Sequence, residues 1–221
     1  MRTQASGFSI IELMVGIALA LLIAAAAVLL LGSSVGESRR LLLEARLTQD
    51  LRSSAELIVR QTRRAGHWGA ASTLGVWTAN ASALPNPYAA LVSDNSALDT
   101  ITLRYSQDTV ENNTVDTTEQ VGFRLRSGTI EVQLGASTWQ ALTDSSTLVV
   151  TGLRIQPSVQ LIALESACAC VADATCTAPK VQVRSVDMEI SGRAAGDSSV
   201  VRTVRSTARV RNDKVSGGCT A

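Results

Sequence analysis

Four cysteines, one histidine and one isolated glutamate are the side chains whose chemistry could define this chain. Cys168, Cys170, Cys176 and Cys219 all lie in its last quarter, with no histidine beside them. Four thiolates can hold zinc, yet Cys168-x-Cys170 lacks the two-residue gap that structural zinc knuckles usually have. An even number of cysteines in a chain with an export-like segment fits disulfides formed in an oxidising compartment. Cys168 and Cys170 are two apart, so in an extended chain they share a face but are badly placed to bridge each other. Two pairings remain: Cys168 with Cys176 and Cys170 with Cys219, or Cys170 with Cys176 and Cys168 with Cys219. Either one ties the C-terminal tail to the body. His67 is the only histidine, and no serine or cysteine stands near it in a nucleophile-base setting. The chain has no His-Glu-x-x-His and no phosphate loop. No catalytic residue, metal or cofactor is expected, and His67 is read as structural, where the chain turns out of a helix.

Glu12 is the remaining chemical signal. It stands at the head of Leu13 to Gly32, a stretch of 20 residues without a charge. As a helix that stretch spans about 30 Å, the thickness of the hydrocarbon core of a bilayer. A cleaved signal peptide would have a positive start and a shorter apolar run. A carboxylate at the head of a membrane helix is costly unless a cation or proton accompanies it, although the first turn of a helix favours an anion.

The elements that must carry these residues follow from periodicity. Gly32 to Gly36 reads as a flexible or kinked stretch. After it, Leu43, Leu47, Leu51, Ala55, Ile58, Thr62 and Ala65 recur at three- and four-residue steps, which predicts one core-facing helical stripe. Arg40/Glu44, Arg46/Asp50, Arg52/Glu56 and Glu56/Arg60 mark an exposed charged face, and Gly66 is the expected C-cap. Residues 72–97 read as a long loop. Beyond it the period becomes two: Ile101, Leu103 and Tyr105, then Val121, Phe123 and Leu125, alternate with polar residues. Ser127-Gly128 joins the latter run to Ile130, Val132 and Leu134 and marks the clearest hairpin. Further strands are expected at 147–156, 181–191 and 200–211. The segment between Gln160 and Pro179, which holds three of the cysteines, reads as a stapled loop.

Residues Gly7-Phe8-Ser9-Ile10-Ile11-Glu12-Leu13-Met14 resemble the prepilin processing motif position by position. The resemblance implies cleavage by prepilin peptidase after Gly7 and N-methylation of Phe8. It also implies that Glu12 meets the N-terminal amine of a neighbouring subunit during assembly. An ammonium would supply the cation that a carboxylate in lipid needs. RRAGHWG at 63–69 is similar to the segment that closes the long helix of PilW-like minor pilins. The implied fold is α+β and pilin-like: a long N-terminal helix, its first half transmembrane, with an antiparallel β-sheet packed on its second half. The implied organisation is a leader at 1–7, a membrane or filament-core helix at 8–32 and its amphipathic continuation at 33–66. A connecting loop at 67–97 and a β-rich domain at 98–221 complete it.

The implied function is that of a minor pilin in type IV pilus assembly, with a type II secretion pseudopilin as the alternative. Its implied partners are prepilin peptidase, other minor and major pilins and the inner membrane. The body would lie in the periplasm and later on the pilus or cell surface. The charge rule does not give that orientation, because the leader offers only Arg2 whereas Arg39 and Arg40 follow the apolar run. DNA capture is a further candidate. The formal net charge of +1 gives no overall pull toward nucleic acid, but Arg205, Arg209 and Arg211 fall on one face of the last predicted strand. A solvated strand face is the simpler account of them, and the few aromatic residues are not interleaved with them.

Overall fold

The computed structural model describes residues 7, 9–75, 84–93, 96–135, 138–164 and 179–216. The chain forms two compact units, 1–43 and 44–221. In the first, helix α1 (Ile10–Arg64) begins where the Leu13 N–H bonds to the Ser9 carbonyl. From Ile10 to Leu42 every residue whose side chain is described is exposed, including Ile17, Leu22 and Leu30. It is the one helix among the described residues that is long and apolar enough to cross a membrane.

The expected interruption at Gly32–Gly36 is not present, since α1 runs through both glycines. Each glycine weakens a helix by about 1 kcal/mol relative to alanine, but unlike proline it keeps its N–H. The hydrogen-bond ladder therefore continues, and the Ser38 hydroxyl adds a bond to the Ser34 carbonyl.

In the second unit, Leu47, Leu51, Ala55, Ile58, Thr62 and Ala65 are all buried, as the stripe predicts. The helix stops at Gly66, whose φ of +74° is a conformation that suits glycine. Its N–H bonds outward to the Arg104 carbonyl, so a β-strand end rather than the helix itself receives the cap. A four-residue helix, α2 (Ala71–Leu74), follows.

The β part is two antiparallel sheets, not one. The first is a five-stranded meander in the order β1 (Leu91–Ser93), β2 (Thr100–Arg104), β3 (Gln120–Arg126), β4 (Thr129–Leu134) and β5 (Trp139–Ala141). The β3–β4 hairpin turns at Ser127-Gly128, with φ of 50° and 78°, as a two-residue turn of the primed type requires. Ile101, Leu103, Val121, Phe123 and Ile130 are buried on one side of this first sheet.

The second sheet is built from β6 (Leu148–Ala163), β7 (Lys180–Ala194) and β8 (Val201–Arg209). β9 (Lys214–Ser216) pairs with the start of β7 at Lys180–Gln182. Leu148, Val150, Leu153 and Ile155 on β6 and Val186, Met188 and Ile190 on β7 alternate inward. Gly192 makes room for the helix: a Cβ there would lie 2.6 Å from Leu148 Cδ1 and 3.2 Å from Leu51 Cδ2. The second half of α1 is thereby seated on this sheet. The edge of β6 is tied to the first sheet where the N–H groups of Val150 and Ile155 bond to the carbonyls of Gly128 and Leu98.

β6 extends past its expected end through Pro157. Proline is tolerated there because β6 is an edge strand that, among the described residues, pairs with β7 alone. β1, β5 and β9, each three residues long, were not expected from the sequence.

Candidate functional site

The residues singled out by the sequence fall in both units, and some lie outside the described residues. Gly7 is exposed, with nothing within 4 Å of the place a Cβ would take. Glu12 occupies the first turn of α1, the end that favours a carboxylate, and is exposed. Phe8 and the four cysteines lie outside the described residues. His67 is exposed and takes part through its backbone: its N–H bonds to the Arg64 carbonyl, and its carbonyl accepts the Ser106 N–H.

Gly32-Ser33-Ser34-Val35-Gly36 has the spacing of a hydrolase nucleophile elbow. That motif needs a sharp strand-to-helix turn to present its serine. Here the five residues lie within continuous helix.

The expected basic row on the last strand is broken up. Arg205 pairs with Glu189 at 2.8 Å, because the β7–β8 register sets those two residues opposite each other. Arg209 pairs with Asp213 at 3.2 Å. Arg211 lies beyond the end of β8.

The most heavily bonded region is the exit of α1. Asn212 Nδ2 bonds to the carbonyls of Arg64 and Ala65, and the Arg211 N–H to that of Arg63. Asn86 Nδ2 bonds to the Gly66 carbonyl. Beneath them Arg184, only 6% exposed, donates from its two Nη atoms to the carbonyls of Ala89 and Asn212. Burial lowers the Arg184 pKa, and nearby Asp213 opposes that shift. Arg64 lies over the Tyr105 ring at 4.3 Å, and the Tyr105 hydroxyl bonds to Gln61. Burial raises the pKa of Tyr105 despite this cation.

A carboxylate-rich loop, 105–119, packs against the same exit. Glu111 accepts from the Gly69 N–H, the Asn113 N–H and the Tyr88 hydroxyl. Burial works against its charge, but these bonds and one from Ser106 hold it below its ordinary 4.5. Burial first, and then Glu111, pushes the Tyr88 hydroxyl up.

Asp108, Asp116 and Glu119 bring three carboxylates within 4.8 Å of one another. Glu119 is fully buried, and its oxygens accept the N–H groups of Gln107 and Asp116. Asp116 returns the favour at the other end of a capping box. The cluster thus organises its own loop. Glu111, Glu119, Arg184 and Asn212 escaped the sequence reading because each acts through a backbone group distant in sequence.

A family model described as Prepilin peptidase-dependent protein B matches residues 40–210, well over half of the chain. No curated protein matches. No solved structure matches either. With its apolar N-terminal helix and antiparallel sheets, the chain belongs to the prepilin peptidase-dependent protein B family of pilin-like proteins.

Proposed function

We propose that this chain is a PilW-like minor pilin that prepilin peptidase cuts after Gly7 and that takes part in assembling a type IV pilus. The observation that carries the reading is a coincidence of two separate signals. The processing motif occupies Gly7–Met14, and the family match begins only at residue 40. Neither signal contributed to the other. The exposed apolar half of α1 suits a helix that sits in a bilayer before it enters a filament, and Glu12 at its head suits pairing with the methylated amine of Phe8 in a neighbour.

In this reading the inner membrane holds the unassembled chain by a single pass. The β-rich body is periplasmic until assembly takes it to the cell surface. Prepilin peptidase and the other pilins are the partners. Cys168, Cys170, Cys176 and Cys219 form two disulfides that secure the tail. DNA is a weaker partner candidate, since Arg205 and Arg209 are each engaged by a carboxylate.

Mass spectrometry of the native N-terminal peptide tests the assignment. A chain beginning at N-methylated Phe8, with Gly7→Leu left uncut, is the expected result. An intact Met1, or a cut after the apolar run, would overturn it. Localisation of the tagged chain to pili rather than to a secretion filament separates the minor pilin from a type II pseudopilin.

A further inference from the structure

The exposed side of the last turns of α1 carries a surface with no role in the assignments above. Opposite the buried stripe, Glu56, Leu57, Arg60, Arg63 and Arg64 line a concavity of about 630 Å³ whose other wall includes Arg211. Four arginines therefore share this lining with one glutamate, in a chain whose formal net charge is only +1.

Basic residues at a helix C-terminus ordinarily serve the helix dipole and cap its last carbonyls. Here those carbonyls are already engaged. Arg63 oxygen accepts the Arg211 N–H, Arg64 oxygen accepts from His67 and Asn212, and Ala65 oxygen accepts from Asn212. The guanidinium of Arg64 covers Tyr105. Among the described residues, those of Arg60, Arg63 and Arg211 have no carboxylate partner. Three such guanidinium groups against the single Glu56 carboxylate leave the groove net positive, so it favours an anion brought from outside.

The rest of the lining narrows the class of anion. Leu57 and Val59 are half-buried and, two residues apart on the helix, flank the arginine row on opposite sides as apolar edges. A phosphate backbone gains nothing from them, and no aromatic ring lines the groove for a base to stack on. A polypeptide with a row of carboxylates flanked by apolar side chains satisfies both parts.

We propose that this groove docks an acidic amphipathic segment of a neighbouring filament subunit, with its carboxylates at Arg60, Arg63 and Arg211 and its apolar side chains on Leu57 and Val59. The proposal rests on the pilin reading, and its test keeps the two separable. The full chain, expressed with its natural companion subunits, carries a photo-crosslinking residue at Val59 or, as a control, at Val15.

The expected result is a Val59 adduct with another processed subunit, the cross-linked peptide bearing at least two carboxylates. The adduct should fall at least about tenfold in Arg60→Glu/Arg63→Glu, because the substitution sets like charges against each other at the contact. It should persist in Arg60→Lys/Arg63→Lys and return when the partner's carboxylates are reversed to lysine. Unchanged thermal unfolding of the double variant establishes that its body is intact.

A chain that is cut after Gly7 and yields Val15 adducts but none at Val59 overturns the groove and leaves the pilin reading standing. An uncut chain with adducts at neither position sinks both. An adduct indifferent to charge reversal overturns the proposal. So does arginine-dependent binding of the solubilised full chain to double-stranded DNA or phosphatidylglycerol vesicles without any subunit adduct, which would give the groove to a phosphate ligand.

Discussion

Glu12 and Glu111 are two carboxylates with opposite circumstances. Glu12 is exposed in the first turn of α1 and is assigned a partner only in an assembly. Glu12→Val should leave cleavage after Gly7 and membrane insertion intact while lowering the fraction of chain recovered in sheared filaments. Normal recovery would remove the pairing argument. Glu111 has its partners within the fold, from Gly69, Asn113 and Tyr88. Because its folded pKa lies below 4.5, the charged form contributes stability above that value, and the contribution is lost as pH falls through the folded pKa. Urea unfolding of wild type and Glu111→Gln should therefore differ most near neutrality, and the gap should shrink between about pH 5 and about pH 3. A gap that stays constant with pH would show that Glu111 acts by shape alone.

Among the elements, the β3–β4 hairpin was legible because its turn chemistry and its period-two pattern agree. Gly128 has a φ of +78°, and a Cβ there would meet Val149 Cγ1 at 3.1 Å. Gly128→Ala should cost about 1–2 kcal/mol in denaturant unfolding, from backbone strain and crowding together. The stripe of α1 was equally legible, since Leu47 to Ala65 follow helical spacing and all meet the core. What could not be read is local in another sense. β1, β5 and β9 are three residues each, too short for alternation to rise above the background, and they exist because longer neighbours offer them a ladder. The continuity of α1 through Gly32 and Gly36 was obscured by two residues whose propensity is poor but whose hydrogen bonding is normal. The division of the strands into two sheets depends on long-range pairing that no short window contains. The same holds for the bonds around Arg184 and Asn212.

For the whole molecule, the two compact units have separate sources of stability. Residues 44–221 bury the α1 stripe and the faces of both sheets, whereas the apolar residues from Ile10 to Leu42 are exposed. A chain consisting of residues 44–221, exported to an oxidising compartment, should be soluble and unfold cooperatively by circular dichroism. Insolubility or gradual melting would show that the first unit is needed for folding. The same preparation should yield no alkylatable thiol before reduction, if Cys168, Cys170, Cys176 and Cys219 are paired. The exit of α1 also has a mechanical meaning. Its last carbonyls and Gly66 are held by Asn86, Arg104, Arg211 and Asn212, and Arg184 braces Asn212 from below. A filament subunit under tension receives load along its helix, and a helix joined to its body through one peptide would peel from that point. Here the load divides among three separated segments at once, so the junction yields only when several bonds break together.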